Sequence, residues 1–377
     1  MGERLIIMAS DSVLFSQYTL PGGRILAHAE LNVPSTLNSL SLEMIDLLQP
    51  KLDEWAATTG IAAVLINGSG DRAFCAGGDI QALYHSIRRN HEAGKVVDRY
   101  PFDFFEREYR LDYCLHTYPK PVVVLGNGVV MGGGLGILSA ASHRVLTEKS
   151  RVAIPEITIG LFPDAGTTWL LKNMPEHLAV FTGMTGSHCN AADAMACGVG
   201  TVVVDSTRVA EIREGIRQII LTGNRIQDDR RLVEFLAQFT SAKLPASELA
   251  AIPQSLTAAT SLIETAAAIR KLEGTSAWID RCIGAMKTGC ATSIGVVHEQ
   301  IRRCKSLTLA DAFRMEMVIA THCATNSEFA EGVRALLIDK DNAPKWKYLS
   351  LEALSTSHVQ SHFSAPWPKN PLADLGV

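Results

Sequence analysis

Short apolar runs rich in β-branched residues alternate with amphipathic stretches over the first two hundred residues. The runs predict strands at residues 25–31, 62–66, 122–125, 145–147, 151–154 and 199–204. The helical periodicity between them predicts helices at residues 41–52 and 135–141. Strands separated by helices predict right-handed β-α-β crossovers, with helices covering a sheet.

The pattern changes after Asp205. Strand signals vanish there, and long amphipathic stretches at residues 256–272 and 308–323 predict helices. We therefore expect two regions, a core at 1–205 and a helical C-terminal region at 206–377 that ends in a polar, proline-containing tail.

One uncharged stretch of twenty residues, 122–141, has about the length of a membrane span. Six of its residues are glycine, and it opens with three β-branched valines directly after Pro121. A buried strand, a tight glycine turn and a buried helix therefore fit this stretch better than one continuous lipid-facing helix.

The composition is that of a globular chain with a sizeable core. Of 377 residues, 47% are hydrophobic and 20% are charged, which argues against disorder, and the net charge of −4 argues against a dedicated nucleic-acid binder. The eight cysteines form no C-x-x-C pair and no zinc-ligand spacing, which favours buried thiols in a reducing compartment. The N-terminal run from Met1 to Met8 is too short for a signal peptide and lacks the pattern of a transit peptide.

Three segments carry candidate chemistry, at residues 74–80, 126–136 and 155–164. The first two are glycine-rich turns between a predicted strand and a helix, where backbone N–H groups and partial positive charge collect. Two such turns that converge form an oxyanion hole, whereas a single one is often a packing turn. A dinucleotide fingerprint fails because Met131 stands where G-x-G-x-x-G requires glycine, and the chain has no P-loop motif.

Two carboxylates in the third segment, Glu156 and Asp164, each follow a proline. Proline restricts the backbone, so both side chains are held in defined positions. Beside an oxyanion hole they can divide the roles of base, nucleophile and orienting group. Helix caps or surface acids are the simpler interpretation of the spacing alone. His143 is expected to cap or support these loops.

These three segments resemble the crotonase (enoyl-CoA hydratase/isomerase) superfamily and, within it, the 3-hydroxyisobutyryl-CoA hydrolases. The superfamily resemblance runs from about residue 25 to 205. The hydrolase-level signal comes from residues 74–84, 131–136, 155–164 and 331–346, the last of which ends in Pro344-Lys345-Trp346. The resemblance implies an α/β fold, a crotonase-like spiral of repeated β-β-α turns, with a helical C-terminal region that closes the pocket.

The resemblance also assigns roles to particular residues. It implies that the N–H groups of Gly78 and Gly133 form the oxyanion hole, that Glu156 is the catalytic glutamate and that Asp164 is its partner. It further implies substrate-binding positions, and these are Glu108, Gly77, Asp79 and Ile80. No metal ligand is expected.

One departure separates hydration from hydrolysis. Hydratases of the superfamily place a catalytic glutamate two residues after the triple glycine, and this chain has Gly136 there. Without that acid, adding water across a double bond loses one of two acid/base groups. The resemblance therefore implies thioester hydrolysis, with Glu156 attacking the carbonyl or activating a water.

The remaining expectations also follow from the resemblance. The expected partner is an acyl-CoA substrate, with no cofactor because CoA is part of the substrate, and neither nucleic acid nor membrane is expected. Superfamily members form trimers or hexamers, so a homo-oligomer stays open. The implied role is valine catabolism in the mitochondrial matrix, with the cytoplasm as the alternative.

The competing functions are an enoyl-CoA hydratase/isomerase and a non-catalytic component of a mitochondrial ribosome. Arg72 and Lys120 are either CoA phosphate contacts or solvated surface positions.

Overall fold

A computed structural model describes residues 5–7, 12–241 and 243–377. The strands are β1 (Leu5–Ile7), β2 (Val13–Thr19), β3 (Ile25–Leu31), β4 (Ile61–Gly68), β5 (Ala73–Cys75), β6 (Val122–Gly126), β7 (Val129–Met131), β8 (His143–Thr147), β9 (Arg151–Ala153), β10 (His188–Cys189) and β11 (Val202–Val204). The helices are α1 (Leu42–Ala57), α2 (Ile80–Ala93), α3 (Tyr100–His116), α4 (Gly133–Ala140), α5 (Thr167–Asn173), α6 (Glu176–Thr185), α7 (Ala191–Ala196), α8 (Val209–Ile216), α9 (Arg225–Ala237), α10 (Leu262–Arg270), α11 (Ala277–Thr288), α12 (Ala291–Cys304), α13 (Leu309–Thr325), α14 (Ser327–Val333) and α15 (Thr356–Ser361).

The chain divides into two compact units, each assembled from three stretches. Unit 1 comprises Met1–Gly78, Leu111–Val152 and Cys189–Ser247, and unit 2 comprises Asp79–Arg110, Ala153–His188 and Glu248–Val377. The boundary that the sequence predicts near residue 205 stays a prediction.

Unit 1 is built on a seven-stranded sheet with the order β1-β2-β3-β4-β6-β8-β11. The first three strands are antiparallel neighbours, and the strands from β3 to β11 pair in parallel. Strands β4 and β6 are buried along nearly their whole length, which explains why they read as continuous apolar runs in the sequence. Helices α8 and α9 pack apolar residues such as Ile212 and Leu232 into the same core.

The uncharged stretch at 122–141 folds as the sequence predicts. It forms strand β6, a glycine turn with the short strand β7, and the buried helix α4. No helix within the described ranges is long and apolar enough to cross a membrane. The N-terminal run from Met1 to Met8, which is predicted to be neither a signal peptide nor a transit peptide, lies mostly outside the described residues.

Unit 2 is largely helical, and α12 is buried over most of its length and packs against α5, α6 and α15. The predicted helix at 308–323 is confirmed as α13, whose N-cap Thr308 accepts a hydrogen bond from the Asp311 N–H. The helix predicted at 256–272 is shorter, because Ser261 and Glu264 form a capping box that begins α10 at Leu262.

Candidate active site

The first glycine loop, in unit 1, follows strand β5. The Ala76 N–H donates to the Leu37 carbonyl at 3.1 Å, and the Leu40 N–H donates to the Gly77 carbonyl at 2.8 Å. Gly77 has φ +109°, a backbone conformation that residues with a Cβ rarely adopt. These contacts fix the conformation of the loop, which ends at Gly78.

The second glycine loop, also in unit 1, lies directly against the first. Gly132 has φ +48°, and a Cβ there would lie 3.1 Å from the Gly77 Cα and 3.8 Å from the Gly78 nitrogen. Helix α4 begins at Gly133, so the positive end of the helix dipole faces this junction. Among the described residues, no acceptor is found for the N–H of Gly78 or Gly133. The two glycine loops are therefore neighbours, and the oxyanion hole formed by Gly78 and Gly133 stays a prediction.

Two of the predicted substrate-binding positions begin helix α2. Asp79 is the N-cap of this helix, and its side chain accepts a hydrogen bond from the Ala82 N–H at 3.1 Å. Ile80 is the first helical residue and is half-buried. In this structure the Asp79 carboxylate therefore serves as a helix cap, and its role toward a substrate stays a prediction.

Glu156, in unit 2, occupies a short 3-10 turn after Pro155. Two N–H groups, of Ile159 and Leu161, donate to the Glu156 carbonyl at 3.1 Å and fix the turn. The side chain is only 5% exposed, and its Oε2 has no hydrogen-bond partner within the described part of the chain. Burial, and secondarily the charge of Asp164, raise the pKa of the Glu156 carboxyl well above its ordinary value.

Asp164 lies after Pro163 in the same unit and is held by a buried tyrosine. The Tyr109 hydroxyl donates a 2.7 Å hydrogen bond to Asp164 Oδ2. Burial raises the pKa of Asp164 to about 6, while the hydrogen bond from Tyr109 opposes that increase by stabilising the carboxylate. Tyr109 is fully buried, so it fixes the direction of this carboxyl group.

Glu108, next to Tyr109 on helix α3, is a further buried acid at 2% exposure. Its pKa is raised well above the ordinary value by burial, and then by the charges of Asp164 and Glu316. Of the four acids that the sequence selects from unit 2, Asp79 caps helix α2, whereas Glu108, Glu156 and Asp164 are buried. The three buried acids form one electrostatically coupled group, because the charge of Asp164 also acts on Glu156.

Three buried polar residues of this site were missed from the sequence, and they are Tyr109, Gln300 and Glu316. Glu316 is fully buried, and burial raises its pKa to about 8. A sequence signal for it exists, because an acid stands on the apolar face of α13 between Phe313 and Ala320. No group of His, Cys, Asp and Glu residues in the described ranges has the arrangement of a metal site.

Two other candidates have structural contacts inside unit 1. The Lys120 ammonium group donates to the carbonyls of Trp55 and Thr58, which ties it to the end of helix α1. His143 pairs with Asp229 of helix α9 through a 2.8 Å contact, and its supporting role toward the glycine loops stays a prediction.

The comparisons with known proteins identify the family. A family model described as enoyl-CoA hydratase/isomerase matches residues 26–363. The chain belongs to the enoyl-CoA hydratase/isomerase family. The carnitinyl-CoA dehydratase of Mycobacterium thermoresistibile is similar in structure, with a TM-score of 0.82 and 28% identity, over 97% of this chain and 99% of that one. The expected crotonase fold with its helical C-terminal region is thereby confirmed.

Some curated relatives have names that are more specific than the family description. The mitochondrial 3-hydroxyisobutyryl-CoA hydrolase of Danio rerio is 33% identical, over 97% of this chain and 92% of its own length. The small ribosomal subunit protein mS47 of Arabidopsis thaliana is also 33% identical, over 97% of this chain and 88% of its own. Several relatives named as hydrolases, at about 30–33% identity over most of the chain, support an acyl-CoA thioester hydrolase.

Proposed function

We propose that this protein hydrolyses the thioester of 3-hydroxyisobutyryl-CoA, and also accepts 3-hydroxypropionyl-CoA, releasing the hydroxy acid and CoA. The observation that carries the proposal is Glu156, a buried carboxyl group with a raised pKa and an oxygen without a hydrogen-bond partner in the described part of the chain. A residue kept in that state is typical of a catalytic acid, base or nucleophile. Similarity to the named hydrolases supplies the substrate class.

The proposed chemistry uses two sets of groups. The N–H groups of Gly78 and Gly133 would stabilise the negative charge that develops on the thioester oxygen, each by roughly 3 kcal/mol in the transition state. The ionised Glu156 would attack the carbonyl carbon to form a mixed anhydride, which water then hydrolyses, or would take a proton from an attacking water. CoA leaves as a thiolate, and a thiol with an ordinary pKa of about 8.5 needs no strong general acid.

Two further roles complete the proposal. Asp164, with Tyr109 donating to it, would orient the hydroxyl group of the substrate, and Glu108 would line the acyl pocket. Gly136 is buried in helix α4, where a second acid would be needed for hydration. The proposal assigns the reaction to valine catabolism in the mitochondrial matrix, in keeping with the word mitochondrial in the names of the relatives.

The test is thiol release from 3-hydroxyisobutyryl-CoA, followed with a thiol-reactive dye, beside hydration of crotonyl-CoA on the same preparation. The wild type should release thiol without hydration, and Glu156→Gln should lose about 10³-fold or more in rate. Glu299→Gln is the matched control, because Glu299 is a buried glutamate of the same unit whose oxygens pair with Arg302 and Arg303. It should stay within about threefold of the wild type, as substitutions outside a site usually do.

The other outcomes point to other functions. Hydration without thiol release would indicate a hydratase that works without an acid at position 136. Silence in both assays would favour the structural role that the similarity to mS47 suggests. Near-full thiol release in Glu156→Gln would contradict the mechanism while leaving the substrate assignment in place.

A further inference from the structure

The turn that carries Asp164 has an unfavourable backbone. Ala165, directly after it, has φ +53°, and Gly166 has φ +79°. The left-handed region is costly for a residue with a Cβ such as Ala165, so the surrounding structure must hold the turn in place. Two fully buried side chains from distant helices do so.

Glu316 of helix α13 bonds to the backbone on the C-terminal side of Asp164. Its Oε2 accepts a 2.8 Å hydrogen bond from the Gly166 N–H, and its Oε1 accepts one of 2.8 Å from the Thr168 N–H. The carboxyl group is therefore satisfied at both oxygens by the backbone that follows Asp164.

Gln300 of helix α12 bonds to the backbone on the N-terminal side of Asp164. Its Nε2 donates to the Pro163 carbonyl at 2.6 Å and to the Thr168 hydroxyl at 2.7 Å. Between them, Gln300 and Glu316 fix the backbone on both sides of Asp164, while Tyr109 fixes its carboxyl group.

Simple capping of helix α5 does not account for this arrangement. The helix has only seven residues, and a nearby side chain could cap it locally, as Asn224 does for helix α9 in unit 1 by accepting from the Gln227 N–H at 3.1 Å. In helix α5 the acid is Glu316, which lies 150 residues from Gly166 and 148 residues from Thr168 along the chain. It is fully buried and has no basic partner in the contacts described. Burying an acid in that way is costly, which favours a purpose beyond local helix stability.

We infer that Glu316 and Gln300 are positioning residues, which hold the Asp164 carboxyl in the orientation that the reaction requires. This inference rests on the proposed function, because it assigns Asp164 a part in turnover. Neither residue is required to touch the substrate. Their effect on catalysis must therefore pass through Asp164, and a double-mutant cycle can detect that dependence.

The experiment measures thiol release from 3-hydroxyisobutyryl-CoA by Glu316→Gln, alone and combined with Asp164→Asn. In the wild-type background we expect kcat to fall about 10- to 100-fold with KM changed less than about threefold, because positioning acts on the transition state. In the Asp164→Asn background the same substitution should change kcat less than about twofold. Gln300→Met, which removes both donors at similar volume, should behave in the same way and serves if Glu316→Gln does not fold.

The matched control is Asp228→Asn, which alters a fully buried carboxylate that also accepts hydrogen bonds from two backbone N–H groups. It should lower the melting temperature as Glu316→Gln does, yet keep kcat within about twofold of the wild type. An unchanged kcat in Glu316→Gln, or an equal loss in both backgrounds, would overturn the inference alone. A wild type that releases no thiol would overturn the proposed function and this role with it.

Discussion

Two buried carboxyl groups, Asp228 in unit 1 and Glu156 in unit 2, differ in the hydrogen bonds that their oxygens accept. Asp228 in unit 1 is fully buried, and its two oxygens accept hydrogen bonds from the N–H groups of Thr222 and Gly223 at 2.8 and 2.7 Å. Glu156 in unit 2 is almost as deeply buried, yet its Oε2 has no partner among the described residues. Satisfied acids of the first kind stabilise a fold, whereas an unsatisfied one lowers stability.

The difference teaches where to look for chemistry in this chain. Asp228 is explained by the turn beside it, because both of its oxygens accept hydrogen bonds there. Glu156 is not explained in that way, and its neighbours add negative charge rather than remove it, since the Asp164 charge raises its pKa further. The family match then gives this residue a reaction to perform.

The same chemical change in the two units should give opposite results. Asp164→Asn should lower kcat for thioester hydrolysis about 100-fold, because a neutral amide no longer accepts from the Tyr109 hydroxyl and the substrate as a carboxylate does. Asp228→Asn should instead lower the free energy of unfolding by about 1–3 kcal/mol, because it places an amide group against two N–H donors. Steady-state kinetics and urea unfolding of both variants measure the two effects. The comparison fails if Asp228→Asn is the variant that loses turnover.

A smaller effect is expected from the hydroxyl group that holds Asp164. Tyr109→Phe removes a hydrogen bond that lowers the pKa of Asp164, so that pKa should rise above its value of about 6. The acidic limb of the kcat/KM profile should therefore move to higher pH, with a loss of about tenfold at neutral pH.

Tyr118→Phe is the matched control for that variant, because the Tyr118 hydroxyl is also buried and donates to the Leu52 carbonyl at 2.7 Å in unit 1. It should weaken stability slightly and leave the pH profile in place. An acidic limb that stays in place in Tyr109→Phe would remove Tyr109 from the account of the site.

The sequence alone predicts the elements whose patterns are local. The β-branched run at 122–125 and the glycines that follow it predict β6, the turn and α4, and the amphipathic stretch at 308–323 predicts α13. The predicted length of α10 is wrong, because a capping box at Ser261 begins the helix later than the apolar pattern indicates. Side-chain capping is also local, so that error was avoidable.

The candidate site divides in the same manner. Glu156 and Asp164 stand in one short segment, so their proline-flanked spacing and the family resemblance were enough to select them. Glu316 and Gln300 reach the Asp164 turn from more than 130 residues away, and a single sequence does not specify which distant polar residues meet. Tyr109 lies beside the selected Glu108, but its role depends on a contact with a turn 55 residues away.

The central claim is that Glu156 is buried without a full set of hydrogen-bond partners because it takes part in the reaction. Thermal unfolding of the wild type and of Glu156→Gln at pH 5 and pH 8 tests this claim most directly. A carboxyl whose pKa is raised in the folded state stabilises the fold below its ordinary pKa and loses that stability as the pH rises toward the folded value. Glutamine carries no such penalty, and the other buried acids are common to both proteins. Glu156→Gln should therefore melt at a higher temperature than the wild type, with a difference that is larger at pH 8 than at pH 5. A Glu156→Gln variant that melts lower than the wild type at pH 8 would contradict the claim and make Glu156 a structural residue.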